Sequence, residues 1–433
     1  MHEKLEITNF LSISHLEWEP KPYNIITGEM GSGKSVCMKL LYFIYEIFNV
    51  TIFNESSFRI SDINGFYAAL ESKFRNVFFI AEKDNSQIIY KLMQKKDASK
   101  SFDFAITIKS GKIKFSSKYV EEQFENWRYK LTESLKQQNI DASLDARIAI
   151  RNDISNDIGN FFPFGQLYFS DLRTLLTEPN TILTSDPYTN ELLSIKGTLA
   201  QRFHRLLDMY LQYTNAAEYK PLQTIIKEIY EILHIKNVYF KNGEPYLVQT
   251  SDKHIPIEKA SSGQREIFYL LSFMTLIHDG IEIGYYGKTN ILFIEEPEVH
   301  LFPCEQKRVL EILTKAYRYF IQPRSKWRFF ITTHSPYILN ALNNMLFKSV
   351  VLKKCNTDSK KIEQVNAAVP FPSLAPEKVS AIFIKKTDNG CSSYDMIEQY
   401  EDTPFLFSEE IEKITDKINE DYNALTFLQE KLQ

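Results

Sequence analysis

Eight consecutive residues, Gly28-Glu29-Met30-Gly31-Ser32-Gly33-Lys34-Ser35, carry the most specific chemistry in this 433-residue chain. Their spacing, G-x-x-x-x-G-K-[ST], is that of a phosphate-binding loop. Glycines let main-chain N–H groups, here including those of Glu29, Met30 and Ser32, converge on an anion with no Cβ in the way. The N-terminus of a following helix adds free donors and a favourable dipole. Lys34 would set a point charge against the β- and γ-phosphates, and the Ser35 hydroxyl would ligate Mg²⁺. The chain has only 14 glycines, far fewer than the usual ~7 % would give. Gly28, Gly31 and Gly33 within six positions are therefore not background.

Three further stretches could complete such a site. Ile291 to Pro303, ILFIEEPEVHLFP, reads as an apolar strand that ends in paired carboxylates. At the C-terminal edge of a parallel sheet such acids lie beside the phosphate loop. Glu295 would hold Mg²⁺ through water, and Glu296 would orient or deprotonate an attacking water. His300 fits either a functional role or an ordinary surface position near a helix start. Lys259 to Phe268, KASSGQREIF, puts Ser261, Ser262, Gly263 and Gln264 just before an apolar helix, again a helix N-terminus able to meet an anion. Ile331 to Pro336, ITTHSP, ends another apolar strand with His334. Each of these last two would be weak evidence alone.

The surrounding elements are read from periodicity. Lys4–Asn9 and Tyr23–Thr27 are strands, the second leading into the loop, and Ser35–Phe48 is a helix. Strands are expected over Val77–Ile80, Gln87–Leu92, Phe102–Ile108 and Lys112–Phe115, the last two joined by a Ser110-Gly111 turn. Residues ~118–150 are polar and helix-prone, and helices follow over Leu199–Gln212 and Leu222–Leu233. A hairpin turning at Asn242-Gly243 joins Val238–Phe240 to Tyr246–Gln249. Beyond it, helix and strand alternate: helix Arg265–Ile277, strand Ile291–Glu295, helix Cys304–Phe320, strand Phe329–Thr332, a short helix after Pro336, and strand Ser349–Leu352. The tail Ser408–Leu432 is an amphipathic helix that needs a partner surface. The fold class expected is α/β, with a phosphate-loop core split by a β-rich and helical insertion.

Composition removes several function classes. Hydrophobic residues at 44% and charged residues at 24% are those of an ordinary globular protein. A net charge of −4 gives no global basic field for nucleic acid, although a local groove could still serve. Cys37, Cys304, Cys355 and Cys391 lie far apart and suggest neither a disulfide framework nor a zinc site. No signal-peptide pattern opens the chain, and the apolar run Tyr269–Ile277 is about half of a membrane span. A cytoplasmic protein with no membrane contact is expected.

The order of the four motifs (phosphate loop, SSGQ, strand-EE-P, strand-THSP) resembles the ABC-type ATPase head of the SMC and overcoming-lysogenization-defect (OLD) group. The string EEPEVHLFP is especially similar. The resemblance covers residues ~1–50 and ~255–355. It implies ATP and Mg²⁺ as cofactors and a slow ATPase in which two heads sandwich nucleotide head-to-tail. Ser261, Ser262 and Gly263 would contact the γ-phosphate held by the opposite head, His334 would sense that phosphate from the same chain, and Glu296 would be the catalytic base with Lys34. On this reading 1–60 and 251–355 are the two halves of the head, 61–250 is the insertion, and 356–433 is a C-terminal extension. Two departures stand out. Ser262 replaces a usual glycine, and Leu11 stands where the family often has a cation. The glutamine of the Q-loop is not placed; Gln87 and Gln166 are candidates.

The stretch between the two halves is too short for a long coiled coil. The Asp-x-Asp cluster of a Toprim nuclease does not occur after Ser335. The layout resembles the ATPase subunits of bacterial anti-phage systems that act with a separate effector, the PARIS type with a Toprim protein first and the Septu type with an HNH nuclease second. A phage protein as trigger fits that reading. The alternative is a repair-type ATPase acting on DNA directly. The lysine pairs 95–96, 353–354, 360–361 and 385–386 are scattered and read as solvated surface.

Overall fold

The computed structural model describes residues 2–46, 62–94, 97–136, 163–169, 220–241, 244–268, 289–320, 326–400 and 403–407, with a few positions between 149 and 157 and at 417 and 420. β1 (His2–Phe10) and β2 (Ile13–Trp18) form a hairpin, and β3 (Tyr23–Gly28) leads through the loop into α1 (Lys34–Glu46). Next come α2 (Ile63–Val77), β4 (Asn85–Gln94), β5 (Asp97–Lys109), β6 (Lys112–Ser116), α3 (Lys118–Lys136) and β7 (Pro163–Phe169). α4 (Lys220–Ile232) precedes β8 (Asn237–Lys241), β9 (Glu244–Val248), β10 (His254–Pro256) and α5 (262–268). The chain continues through β11 (Thr289–Glu295), α6 (Pro303–Phe320), β12 (Lys326–Thr333), α7 (Pro336–Lys354) and α8 (Ser359–Ala368). It then runs through β13 (Val379–Thr387), β14 (Gly390–Asp395), β15 (Ile397–Tyr400) and β16 (Thr403–Leu406).

Eleven of these strands make one sheet in the order β6-β5-β4-β1-β2-β14-β13-β3-β12-β11-β7. From β13 to β7 the pairing is parallel, and from β6 to β2 it is antiparallel. β14 joins the halves, antiparallel to β13 and parallel to β2. This is an α/β fold in which the phosphate loop leaves the parallel half of the sheet after β3. The parallel strands are apolar on both faces because helices cover both. In β11, Ile291 and Phe293 pack with α1, while Leu292 and Ile294 pack with α6 and α7. The same alternation divides Phe330 from Phe329 and Ile331 in β12.

One polar cluster crosses the first of these cores. Arg328 of β12 donates from Nη2 to Glu3 of β1 at 2.5 Å, and its Nη1 lies 3.1 Å from the Tyr45 hydroxyl of α1. Tyr45 and Tyr90 of β4 both donate to Glu3 Oε1. Four strands separate β1 from β12 in the sheet. Five steps of about 4.8 Å would hold them about 24 Å apart in a flat sheet. The sheet therefore curls around α1, and the Arg328–Glu3 pair closes the curl.

Several expectations change. Residues 349–352 are helical, since α7 runs unbroken to Lys354. Ser335 caps it by accepting from the Tyr337 and Ile338 amides, and Ile338, Leu342, Met345 and Leu346 bury one face. That packing outweighs the strand preference of Val350-Val351. Likewise α2 extends through Val77 because Phe66, Leu70 and Phe74 are buried at helical spacing. The stretch expected as an extension beyond 355 returns to the sheet, where β13 lies beside β3. The Ser110-Gly111 turn is as expected, with φ of 49° and 72°. Leu199–Gln212, the Asn242-Gly243 turn, the apolar run from 269 and nearly all of the tail helix lie outside the described residues. No helix among the described residues is long and apolar enough to cross a membrane.

Breaking the buried pair tests the curl. Glu3→Leu or Arg328→Met alone leaves one charge unpaired in the core and should cost about 3–5 kcal/mol, while the double variant should recover much of that loss. Urea unfolding of the three variants measures it. Single variants with wild-type midpoints would mean the pair does not hold the halves together.

Candidate functional site

The phosphate loop has the backbone its glycines were expected to allow. Gly28 has φ +147°, and a Cβ there would meet the Ile384 carbonyl oxygen of β13 at 2.2 Å. Gly33 has φ +103°, with the β1–β2 turn packed so close that a Cβ would lie 2.8 Å from the Ile13 side chain and Ser12 Oγ. Glu29, Met30 and Ser35 are exposed, and Ser32 is buried with its hydroxyl unpartnered. Lys34, only 5% exposed, donates from Nζ to the carbonyls of Gly28 (3.1 Å) and Glu29 (2.8 Å). Burial lowers its pKa to about 8, against the opposing pull of Glu296 and Glu298.

Strand register brings the other groups to this loop. Thr27 is opposite Thr333, and Thr332 is opposite Glu295, so β3, β12 and β11 end side by side. Glu295 is 2% exposed, and its Oε1 accepts from the Tyr168 hydroxyl at 2.7 Å. The chain then leaves the strand at Glu296, which has φ +43° and is pinned by its amide to the Thr332 carbonyl (3.0 Å) and hydroxyl (3.2 Å). That turn aims the Glu296 carboxylate at His334, with Oε1 and Nε2 3.1 Å apart.

Glu298 was not singled out in the sequence. It is 7% exposed, and one oxygen accepts from the Thr333 hydroxyl (2.7 Å) and the His334 amide (2.8 Å). Burial raises its pKa, with those two donors acting the other way. His334 is thus gripped twice, by its ring through Glu296 and by its main chain through Glu298. The EEPE string contained this residue, but only the fold shows that it reaches the neighbouring strand. Tyr168 and Lys386 were also missed. Lys386, at the end of β13, lies beside the loop with its Nζ 3.9 Å from Glu29. Neither carries a sequence signal, because each depends on which strands become neighbours.

The SSGQ segment starts α5 as a capping box. The Gln264 amide donates to Ser261 Oγ (3.2 Å), and the Ser261 amide donates back to Gln264 Oε1 (3.3 Å). Gln264 Nε2 also donates to the Leu233 carbonyl at 2.7 Å. Gly263 is buried against the His300 carbonyl, which a Cβ would meet at 2.8 Å. The His300 ring is 3.5 Å from the buried Glu266 carboxylate. These contacts join the segment to the loop after β11 rather than to its own chain's phosphate loop. Of the Q-loop candidates, Gln87 is exposed on β4 opposite Thr8 and Thr107, and Gln166 is on β7 opposite Ile291.

The donor set suits Mg²⁺. No cluster of three or more His, Cys, Asp or Glu able to hold a metal occurs among the described residues. Mg²⁺ needs none, since it keeps waters and takes one or two carboxylates plus substrate phosphates. Ser35 and Glu295 supply a hydroxyl and a carboxylate beside the loop.

Residues 1–339 match the AAA ATPase domain. No curated protein matches the chain. Among solved structures, an SMC head bound to the C-winged helix domain of ScpA aligns at 11% identity and TM-score 0.41, covering 91% of this chain and 97% of that one. The SMC head domain from Thermotoga maritima aligns at 10% identity and TM-score 0.38, covering 91% and 98%. An SMC head with an extended coiled coil, bound to the C-terminal domain of ScpA derived from Pyrococcus furiosus, aligns at 10% and 0.38, covering 96% and 99%.

The lowered pKa of Lys34 gives a pH test. Between about pH 8 and the ordinary value of 10.5, the free loop has partly lost the Lys34 proton. A bound phosphate would restore it, so binding takes up a proton there. ADP affinity should be flat from pH 7 to 8 and then fall by up to about tenfold per unit. Lys34→Arg, which does not titrate in this range, should bind with no such slope. Titration calorimetry checks both, and a flat wild-type profile to pH 9.5 would overturn the assignment of Lys34.

Proposed function

The chain belongs to the AAA ATPase domain family, and from that premise we propose that it binds ATP with Mg²⁺, hydrolyses it slowly, and dimerises head-to-tail on ATP to gate a separate effector. The observation that carries the hydrolytic part is the convergence of Lys34, Glu295, Glu296 and His334 at the ends of three adjacent strands. Lys34 would exchange two carbonyls for the β- and γ-phosphates. Ser35 and Glu295 would hold Mg²⁺, which when bound neutralises charge on the phosphate oxygens. Glu296 would take the proton of the attacking water. His334, already against Glu296, would link that base to the terminal phosphate.

The SSGQ segment supports the dimer reading. The hydrogen bonds of Ser261 and Gln264 run within the segment and to Leu233, and an anion bound at this helix N-terminus would come from a second copy. A twofold arrangement gives two composite sites, each with one chain's Gly28–Ser35 and the other's Ser261–Gln264. The effector reading, a Toprim or HNH nuclease in an anti-phage system with a phage protein as trigger, rests on motif order and layout. The described lysine pairs do not favour the DNA reading: Lys353 pairs with Glu377, Lys361 with Asp358 and Lys386 with Glu29.

Three variants test the proposal. Lys34→Ala should lose ATP binding, and Glu296→Gln should bind ATP without turnover and accumulate as a dimer. Mixing Lys34→Ala with Ser261→Arg should restore activity to about a quarter of wild type, because half of the dimers regain one site if sites act independently. Recovery no greater than the sum of the two variants, with Ser261→Arg active alone, would place hydrolysis within one chain. Co-purification with products of neighbouring genes tests the effector.

A further inference from the structure

The hydroxyl of Tyr168 does more than its ring's packing requires. The ring stacks on Phe293 of β11 (centroids 5.6 Å apart, planes at 24°) and stands edge-on to Tyr42 of α1 (5.5 Å, 90°). It is therefore wedged between the strand that ends in the two glutamates and the helix that begins with Lys34. A phenylalanine would fill that space equally well. A buried hydroxyl is costly unless it is bonded, and this one donates to Glu295 Oε1 at 2.7 Å. Parallel register sets Tyr168 opposite Phe293, so the phenol extends along the sheet to reach a carboxylate two residues further on.

We propose that Tyr168 is the positioning residue of the Glu295 carboxylate: its hydroxyl holds one oxygen and thereby orients the other toward the cation beside the phosphate loop. The proposal rests on the reading of Glu295 as the Mg²⁺-holding group. The phenol at 2.7 Å donates to Oε1 alone, and the wedged ring fixes the direction from which it does so. The clamped ring makes that donor rigid, which is how an outer partner raises metal affinity.

The experiment uses the full chain, ADP and Mn²⁺ as the spectroscopic probe. Tyr168→Phe keeps both ring contacts, so its ADP affinity in EDTA should match wild type. Its Mn²⁺ affinity in saturating ADP should fall about 10–100-fold. Added to Glu295→Gln, the same change should cause no further loss, since the hydroxyl acts through that carboxylate. Unchanged Mn²⁺ affinity in Tyr168→Phe, with a clear loss in Glu295→Gln, overturns the role of Tyr168 alone. Unchanged affinity in Glu295→Gln overturns the metal role of Glu295 and this inference with it. If Tyr168→Phe lowers the melting temperature, the double variant still decides: losses that add show the two residues acting separately and overturn the proposal.

Discussion

The ladder of hydrogen bonds from β3 through β12 to β11 sets where every reactive group ends. Thr27 pairs with Thr333 and Thr332 with Glu295, and a one-residue slip of any of these strands would move each side chain to the opposite core. Both faces of these strands are apolar and covered by helices, so a slip would cost packing on two sides at once. The phosphate loop, the glutamates and the histidine are thus placed by core residues such as Ile26, Phe293 and Phe330, none of which has chemistry of its own. β13 adds a second constraint. Its Ile384 carbonyl lies where any side chain at position 28 would be, so the first glycine of the loop is required by a strand more than 350 residues away in sequence.

Within that frame the loop after β11 is held in a conformation its residues do not favour. Glu296 and His300 have φ of +43° and +61° without being glycines, a backbone cost of order 1–3 kcal/mol each. The hydrogen bonds that retain it are local: the Glu296 amide to Thr332, and the Glu298 carboxylate to Thr333 and His334. They tie the loop to the end of β12, while backbone bonds from Val299 to Glu296 and from Leu301 to Glu298 turn it within itself. The two strand ends therefore behave as one unit, and the packing of Gly263 against His300 extends that unit to the start of α5.

The parts legible in the sequence were those governed by local rules. The loop glycines, the run into Glu295, the Ser110-Gly111 turn and the start of α7 depend on residues close in the chain. The parts that were not legible depend on partners. Val350-Val351 reads as strand until α7 packs on the sheet, and the β13 segment carries no motif until it is found beside β3. Tyr168 is an ordinary strand residue until β7 pairs with β11. Glu298 carries no signal of its own within EEPE, yet it is buried and bridges to the next strand. The SSGQ string was read for its resemblance, and its own chemistry also makes it a capping box, which is why Ser261 and Gln264 sit three residues apart whatever else they touch.

Each reactive group also has an internal partner that any ligand must displace. Lys34 rests on two carbonyls, Glu296 on His334, and Ser261 on Gln264. Exchanging one hydrogen bond for another yields about 1 kcal/mol at most, so neutral groups gain little by entering. An anion changes the balance at Lys34, because a buried ammonium whose direct partners are two carbonyls gains more from a full negative charge in contact with it. On the proposed reading, discrimination for polyphosphate would come from the burial of Lys34, the same burial that lowers its pKa. The site would then select by charge first, and the geometry of Glu295, Glu296 and His334 would act on whatever that charge has already admitted.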